Sequence, residues 1–212
     1  MDAKTHWETI YRTKQPDEVS WFQREATISS ALIRRVAPQA TARIIDVGGG
    51  ASTLVDGLVA AGYRCVTVLD LSLSALELAR RRLGAAAPEV TWIEADVLSA
   101  DLPPGQFDVW HDRAVFHFLT SAADRARYIE QVRTSVKLGG YVLVATFAAD
   151  GPTRCSGLPV ARYSAGALHH EFGSTFRLME SVREEHVTPS GAKQAFAYCL
   201  CRIESASRNI AA

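Results

Sequence analysis

Gly48, Gly49 and Gly50 end the apolar run Ile44-Ile45-Asp46-Val47 and precede a helical pattern from Ser52 to Ala61. Glycines at a strand-to-helix turn adopt dihedrals closed to other residues and let a ligand approach the backbone. Asp70 ends the next β-type run, Cys65 to Asp70. It stands about 20 positions beyond the glycines, where a carboxylate can accept both hydroxyls of a ribose. Asp96 ends the third run, in Glu94-Ala95-Asp96-Val97, near the expected place of a base. A glycine triplet alone is compatible with nothing more than a tight turn. With acids at the two following strand ends, it describes an adenosine site.

The elements that position these residues follow from periodicity. Trp7 to Phe22 carries Trp7, Tyr11, Trp21 and Phe22 and is interrupted by Pro16, which predicts an ordered aromatic cap. Ile28, Leu32, Ile33 and Val36 recur at helical spacing within Glu25 to Val36. Ser52 to Ala61 is a second helix, and Ser74-x-x-Glu77 is a capping-box pattern for a third. Strands are expected over Val90 to Ala95, Phe107 to His111 and Tyr141 to Phe147. Between the last two, a helix begins at Ser121 and is stopped by Gly139-Gly140. This alternation predicts an α/β fold with a parallel, doubly wound sheet. A Gly/Pro loop, a helix from Ser164 to Phe172 and a hairpin, Phe176 to Val187 with Gln194 to Ile203, complete the chain. One domain over 1–212 is expected, divided into a cap and helix (1–40), a nucleoside-binding core (41–148), an acceptor loop, helix and hairpin (149–203) and a polar tail (204–212).

Composition narrows the function classes. The 23 basic and 23 acidic side chains cancel, and neither sign forms a long run, so no nucleic-acid partner and no membrane surface are expected. The amino terminus lacks the apolar stretch of a secretory signal, which predicts a cytoplasmic setting. Cys65, Cys155, Cys199 and Cys201 read as reduced thiols. Cys199 and Cys201 share one face of a β-run, as small core residues do, and no metal site is expected. Cys155 stands in the loop from Asp150 to Tyr163, where burial is less expected.

A dinucleotide oxidoreductase is the main rival, but its G-x-G-x-x-G fingerprint needs a third glycine where this chain has Thr53. Asp46 before the glycines suits a cationic sulfonium and its α-amino group better than a pyrophosphate. The set Asp46-Val47-Gly48-Gly49-Gly50, Val68-Leu69-Asp70-Leu71-Ser72, Glu94-Ala95-Asp96-Val97, Asp108-Val109-Trp110-His111-Asp112 and Gly139-Gly140-Tyr141 resembles the ordered motifs of class I S-adenosylmethionine (SAM)-dependent methyltransferases. The resemblance implies a seven-stranded, mostly parallel sheet with an antiparallel last strand. It also implies SAM as cofactor, with Asp46, Gly48, Gly49 and Gly50 at its methionine part, Asp70 with Leu71 on the ribose, Asp96 with Val97 around adenine, and Trp21 in the covering cap. Within the class, the aromatic opening and Asp112-Arg113-Ala114-Val115 are similar to the branch that methylates lysines of elongation factor 1A and citrate synthase. That branch carries aspartate-lysine-glycine where this chain has Asp112-Arg113-Ala114.

Methyl transfer from a sulfonium is an in-line displacement, so orientation and proton removal are what a protein adds. His111, Asp112 and His117 lie at or just after the fourth strand, where open α/β sheets place their crevice. His117 is the candidate for contacting or deprotonating the acceptor, with a histidine packed beside Phe116 and Phe118 as the alternative. Asp112 could meet the SAM amino group. Arg113 could bind an anionic acceptor or make a structural ion pair. Arg154, Cys155 and Tyr163 are candidate acceptor contacts from the loop, and a thiolate at Cys155 could handle a thiol or metalloid. These features favour a small-molecule acceptor, such as a sulfur, selenium or arsenic nucleophile, over a protein lysine. A non-enzymatic SAM-binding module is the reading from another class.

Overall fold

Ile44, Ile45, Asp46 and Val47 are all buried, as a parallel strand covered on both faces requires. The computed structural model describes residues 2–205. In it this run is β1 (Arg43–Val47), joined to β2 (Cys65–Asp70), β3 (Thr91–Glu94), β4 (Phe107–Arg113) and β5 (Val136–Phe147). Two short strands, β6 (Arg154–Cys155) and β7 (Leu158–Pro159), pair within the loop after β5, and β8 (Phe176–Val187) and β9 (Lys193–Ile203) form the closing hairpin. The main sheet has seven strands in the order β3-β2-β1-β4-β5-β9-β8. The first five are parallel and β9 inserts antiparallel against β5, as expected.

Helices cover both faces. α1 (Ala3–Thr13) is the cap helix, and α2 (Thr27–Val36), α3 (Leu54–Ala60) and α4 (Leu73–Leu83) follow it. Leu32, Ile33, Leu54, Leu58 and Leu76 from α2, α3 and α4 pack on Ile44, Val66, Val68 and Val109. α5 (Ala122–Ser135) and α6 (Ala165–Phe172) bury Tyr128, Val132, Leu168 and Phe172 against Ile45, Trp110, Val142 and Val144 on the other face. Each such side chain, removed from water, contributes roughly 1.5–3 kcal/mol. Cys199 and Cys201 lie in this second layer with their sulfurs 3.4 Å apart.

Several local expectations are corrected. α4 opens at Ser72, whose Oγ accepts from the Ala75 amide at 3.1 Å, and not at Ser74. The strand reaches Asp70 and the helix starts at Leu73, which leaves Ser72 the place at the turn. Glu77 instead lies 3.6 Å from Arg81 one turn on. α5 ends at Ser135, before Gly139-Gly140, because Val136 is already paired with Phe107. The two glycines lie inside β5, beside a register shift between Phe107 and Val109; a Cβ on Gly140 would stand 3.1 Å from the Asp108 carbonyl oxygen. The fourth strand runs past His111 to Arg113. Cys155, on β6, is buried. The tail expected at 204–212 lies, from residue 206 on, outside the described residues.

The cap is tied to the sheet through a helix end. Glu8 of α1 accepts from the amide of Leu73 at 2.6 Å and of Ser74 at 3.3 Å, using free donors in the first turn of α4. Burial pushes the Glu8 carboxyl up, but the hydrogen bonds from Ser74 and Leu73 outweigh it and hold the pKa below its usual value. Removing such a cap costs about 1 kcal/mol. Glu8→Ala is therefore expected to speed amide hydrogen exchange several-fold across residues 3–13 while leaving β1 and β4 unchanged. An equal change throughout the sheet would contradict this local role.

Candidate active site

The chain order reverses between β1 and β4, so their carboxyl ends open the crevice in which α/β sheets bind ligands. The glycine turn fills that point. Gly48 has φ +66°, and a Cβ there would fall 2.0 Å from Val115 Cγ2. A Cβ on Gly49 would stand 2.5 Å from Asp46 Oδ2, and one on Gly50 2.5 Å from Asp70 Oδ2. All three positions thus reject a side chain. Thr53, where a dinucleotide fold needs its third glycine, donates its hydroxyl to the Gln23 carbonyl at 3.0 Å and binds the turn to the segment after the cap.

Two cavities meet over this turn. The larger, about 310 Å³, is lined on its sheet side by Gly48, Asp70, Leu71, Asp96 and Val97. The smaller, about 50 Å³, is lined by Ser29, Gly48, Gly49, Ser52 and His111. Tyr11, Trp21 and Arg113 border both. Trp7 stands edge-on to Trp21 at 5.6 Å and to Phe118 at 5.2 Å, and the Trp21 indole donates to the Tyr11 hydroxyl at 3.2 Å. The aromatic opening of the chain is thus the roof of the larger cavity.

The acids differ in their surroundings. Asp70 accepts from the Ser72 amide at 2.8 Å. Burial, with the charges of Asp46 and Glu8 nearby, pushes its carboxyl up to about 7 despite that hydrogen bond. Asp46 is buried, with Oδ1 at 2.7 Å from His111 Nδ1 and Oδ2 without a hydrogen-bond partner among the described residues. Asp96 lies just beyond β3 and accepts from the Leu98 amide at 2.9 Å.

The remaining candidates divide. Asp112 is fully buried and committed to the amides of Val115 and Phe116 and to the Tyr128 hydroxyl at 2.6 Å, so its carboxylate shapes the turn after β4 and does not line either cavity. Burial pushes it up to about 6. His117 is fully buried between Phe118 and Phe147, where burial pushes its imidazole down to about 3; it likewise lines neither cavity. Tyr163 packs by Phe116, and exposed Arg154 donates to the Gly157 carbonyl, both away from the larger cavity. Cys155 does reach that cavity, but burial pushes its thiol up to about 12, so it is not a thiolate at neutral pH. Arg113 faces both cavities with its nitrogens committed to the Tyr198 hydroxyl, the Trp21 carbonyl and Glu184.

Sequence reasoning missed Val115 and Leu119 in the cavity wall, Asp124 at its rim, and Glu8 as the tie of the cap. The turn that brings Val115 inward carries Ala114 at φ +74°, a left-handed backbone that suits glycine. It is the position at which the lysine-methylating branch has glycine. No periodicity could reveal these contacts, because they depend on the three-dimensional course of the turn.

Sheet order, antiparallel β9 and the glycine turn define a class I SAM-dependent methyltransferase fold. Residues 44–140 match a family model described as a methyltransferase domain. The chain is 23% identical over 153 residues to the zebrafish (Danio rerio) eEF1A lysine and N-terminal methyltransferase, covering 71% of this chain and 22% of that protein. It is 34% identical over 117 residues to an uncharacterized methyltransferase of Mycobacterium bovis, covering 53% of this chain and 51% of that one. The chain thus spans about half, or less, of these curated relatives. Among solved structures, a Burkholderia thailandensis 1,6-didemethyltoxoflavin-N1-methyltransferase with bound 1,6-didemethyltoxoflavin and S-adenosylhomocysteine aligns with a TM-score of 0.70 at 20% identity, covering 95% of this chain and 87% of its own. A structure from work on the conversion of a disulfide bond into a thioacetal group during echinomycin biosynthesis aligns with a TM-score of 0.74 at 17% identity, covering 99% of this chain and 95% of its own. Over residues 44–140 the chain is similar to methyltransferase domains, and the described residues adopt the fold of class I SAM-dependent methyltransferases.

The raised carboxyl of Asp70 gives the site a pH signature. A folded-state pKa near 7, above the ordinary carboxylate value near 4, means that the folded state holds its proton longer than the unfolded chain. Its stability contribution is full below about pH 4 and is lost as pH rises towards 7. Asp70→Asn is expected to raise the melting temperature of the ligand-free protein at pH 7–8 and to flatten its pH dependence between 4 and 7. It is also expected to weaken S-adenosylhomocysteine binding, since ribose hydroxyls are received by the ionised carboxylate. A variant that binds as tightly as the parent would contradict this role.

Proposed function

We propose that the protein transfers the methyl group of SAM to a small-molecule acceptor whose nucleophilic atom brings its own lone pair, a sulfur, selenium or arsenic centre. The observation that carries the reading is the larger cavity itself: an aromatic roof closes it, and neither His117 nor Asp112 lines it. The Cys155 thiol and the Tyr11 phenol both hold their protons because burial raises their pKa. His117 and Asp112, the proton acceptors expected from sequence, are turned into the core.

The chain's residues fit the cofactor. Asp70 and Leu71 would hold the ribose, Asp96 and Val97 the adenine, and Asp46 with Gly48, Gly49 and Gly50 the methionine part, under Trp21. SAM supplies an activated methyl on a sulfonium; its carbon–sulfur bond pair returns to sulfur as the acceptor's lone pair forms the new bond. What the protein adds is alignment and exclusion of water by Trp7, Trp21 and Phe118. A thiol or selenol that has lost its proton to solvent before transfer needs no base in the site, whereas a lysine, protonated far above neutral pH, needs one. The chemistry at sulfur named for the echinomycin-related structure supports this acceptor class, and the didemethyltoxoflavin bound in the Burkholderia enzyme supports a small molecule. The resemblance to the eEF1A methyltransferase supports a second reading, a protein lysine. We take the setting to be cytoplasmic and nucleic acid not to be a partner, supported by the four free cysteines and the balanced charge. No helix among the described residues is long and apolar enough to cross a membrane.

Methyl-labelled SAM offered with small thiols, selenols, arsenite, amines and whole lysate tests the acceptor. Label is expected on a small sulfur, selenium or arsenic compound. Label confined to protein lysine would overturn the small-molecule reading, and binding without any transfer would overturn the enzymatic one.

A further inference from the structure

The buried carboxylate of Asp46 is half satisfied. Its Oδ1 is fixed 2.7 Å from His111 Nδ1, and His111 Nε2 lies 2.8 Å from the hydroxyl of Ser29 on α2. Ser29, His111 and Asp46 are 1%, 3% and 2% exposed, so water competes for none of these bonds. A carboxylate only accepts, so Nδ1 carries the proton, and in the neutral imidazole Nε2 then accepts from the Ser29 hydroxyl. Asp46 and His111 are register partners across β1 and β4, which puts the two side chains side by side on the α2 face.

This chain of bonds sets the direction of Asp46 Oδ2, which has no partner among the described residues and faces the bare Cα of Gly49. A buried charged oxygen left without a donor is costly. The smaller cavity is bordered by Ser29, Gly49 and His111, the residues packed around Asp46, while Asp46 itself lines neither cavity. We propose that His111, backed by Ser29, is a positioning residue. It holds the Asp46 carboxylate in place behind Gly49 at the wall of the smaller cavity, where its charge favours the α-ammonium of the cofactor's aminobutyrate chain. The proposal rests on the SAM-site reading above and gives His111 a role in cofactor selection apart from proton transfer to the acceptor.

Two ligands separate this role from a structural one: S-adenosylhomocysteine, which has the aminobutyrate chain, and 5′-methylthioadenosine, which lacks it. Calorimetric titration of both is expected to show that His111→Phe weakens the first at least about tenfold and changes the second less than about threefold. His111→Asn, whose amide keeps a donor towards Asp46, is expected to recover most of the loss, and Ser29→Ala to weaken only the first ligand. On an Asp46→Asn background, His111→Phe is expected to add little. Equal losses for both ligands, or fully additive effects, would overturn the positioning role. If His111→Phe does not fold, Ser29→Ala and His111→Asn carry the same comparison. A parent protein that binds neither ligand would instead overturn the SAM-site reading itself, and the proposal with it.

Discussion

Two carboxylates, Asp46 and Asp70, are buried against the bare Cα atoms of Gly49 and Gly50, and the site is organised around that contact. A Cβ at either glycine would lie 2.5 Å from a carboxylate oxygen. The turn can therefore be tight only if those positions are glycine, and it brings Asp70 to the crevice wall with Asp46 buried just behind it. Burying both acids is unfavourable in isolation, as the raised carboxyl of Asp70 records. A ligand that brings a cation to one and hydroxyl donors to the other relieves that cost. This distinguishes a sulfonium nucleoside from a pyrophosphate, which would add negative charge to the same place.

The rest of the molecule serves that turn. The sheet reverses its strand order at β1 and β4, which opens a crevice above the turn, and the hydrophobic layers on both faces hold those strands rigid. The aromatic cap is fastened at several points: among them, Glu8 binds the start of α4, Lys4 pairs with Glu94, and Arg113 binds the Trp21 carbonyl, Tyr198 and Glu184 while its guanidinium stacks 4.0 Å from the Phe196 ring. Arg113 thus joins the roof to the closing hairpin. An arginine so fully committed is a structural tie more than a free anion receptor.

Much of this was legible in the sequence, and the reasons are physical. Parallel strands with both faces buried read as continuous apolar runs, so Ile44 to Val47 and Cys65 to Asp70 stand out, together with the acids they carry. The hairpin was visible because its two β-runs flank Thr188-Pro189-Ser190-Gly191. What sequence could not show is the direction of side chains after β4. Asp112, His117 and Arg113 follow one another closely there, but a turn at Ala114 sends the first two into the core and leaves the third at the cavity wall. Likewise, the spacing of Ser74 and Glu77 matched a capping box, yet Ser72 and a residue from the far end of the chain took that role. Contacts between distant segments, such as Ser29 with His111, leave no local pattern at all.

One nucleoside cofactor is proposed to span both cavities across the glycine turn. A crystal structure with S-adenosylhomocysteine tests it most directly. Ribose hydroxyls are expected on the Asp70 carboxylate, adenine beside Asp96 and Val97, and the aminobutyrate chain over Gly48 and Gly49, with its ammonium on the Asp46 side of the turn. A ligand bound elsewhere, or one whose amino-acid end points away from the turn, would contradict it.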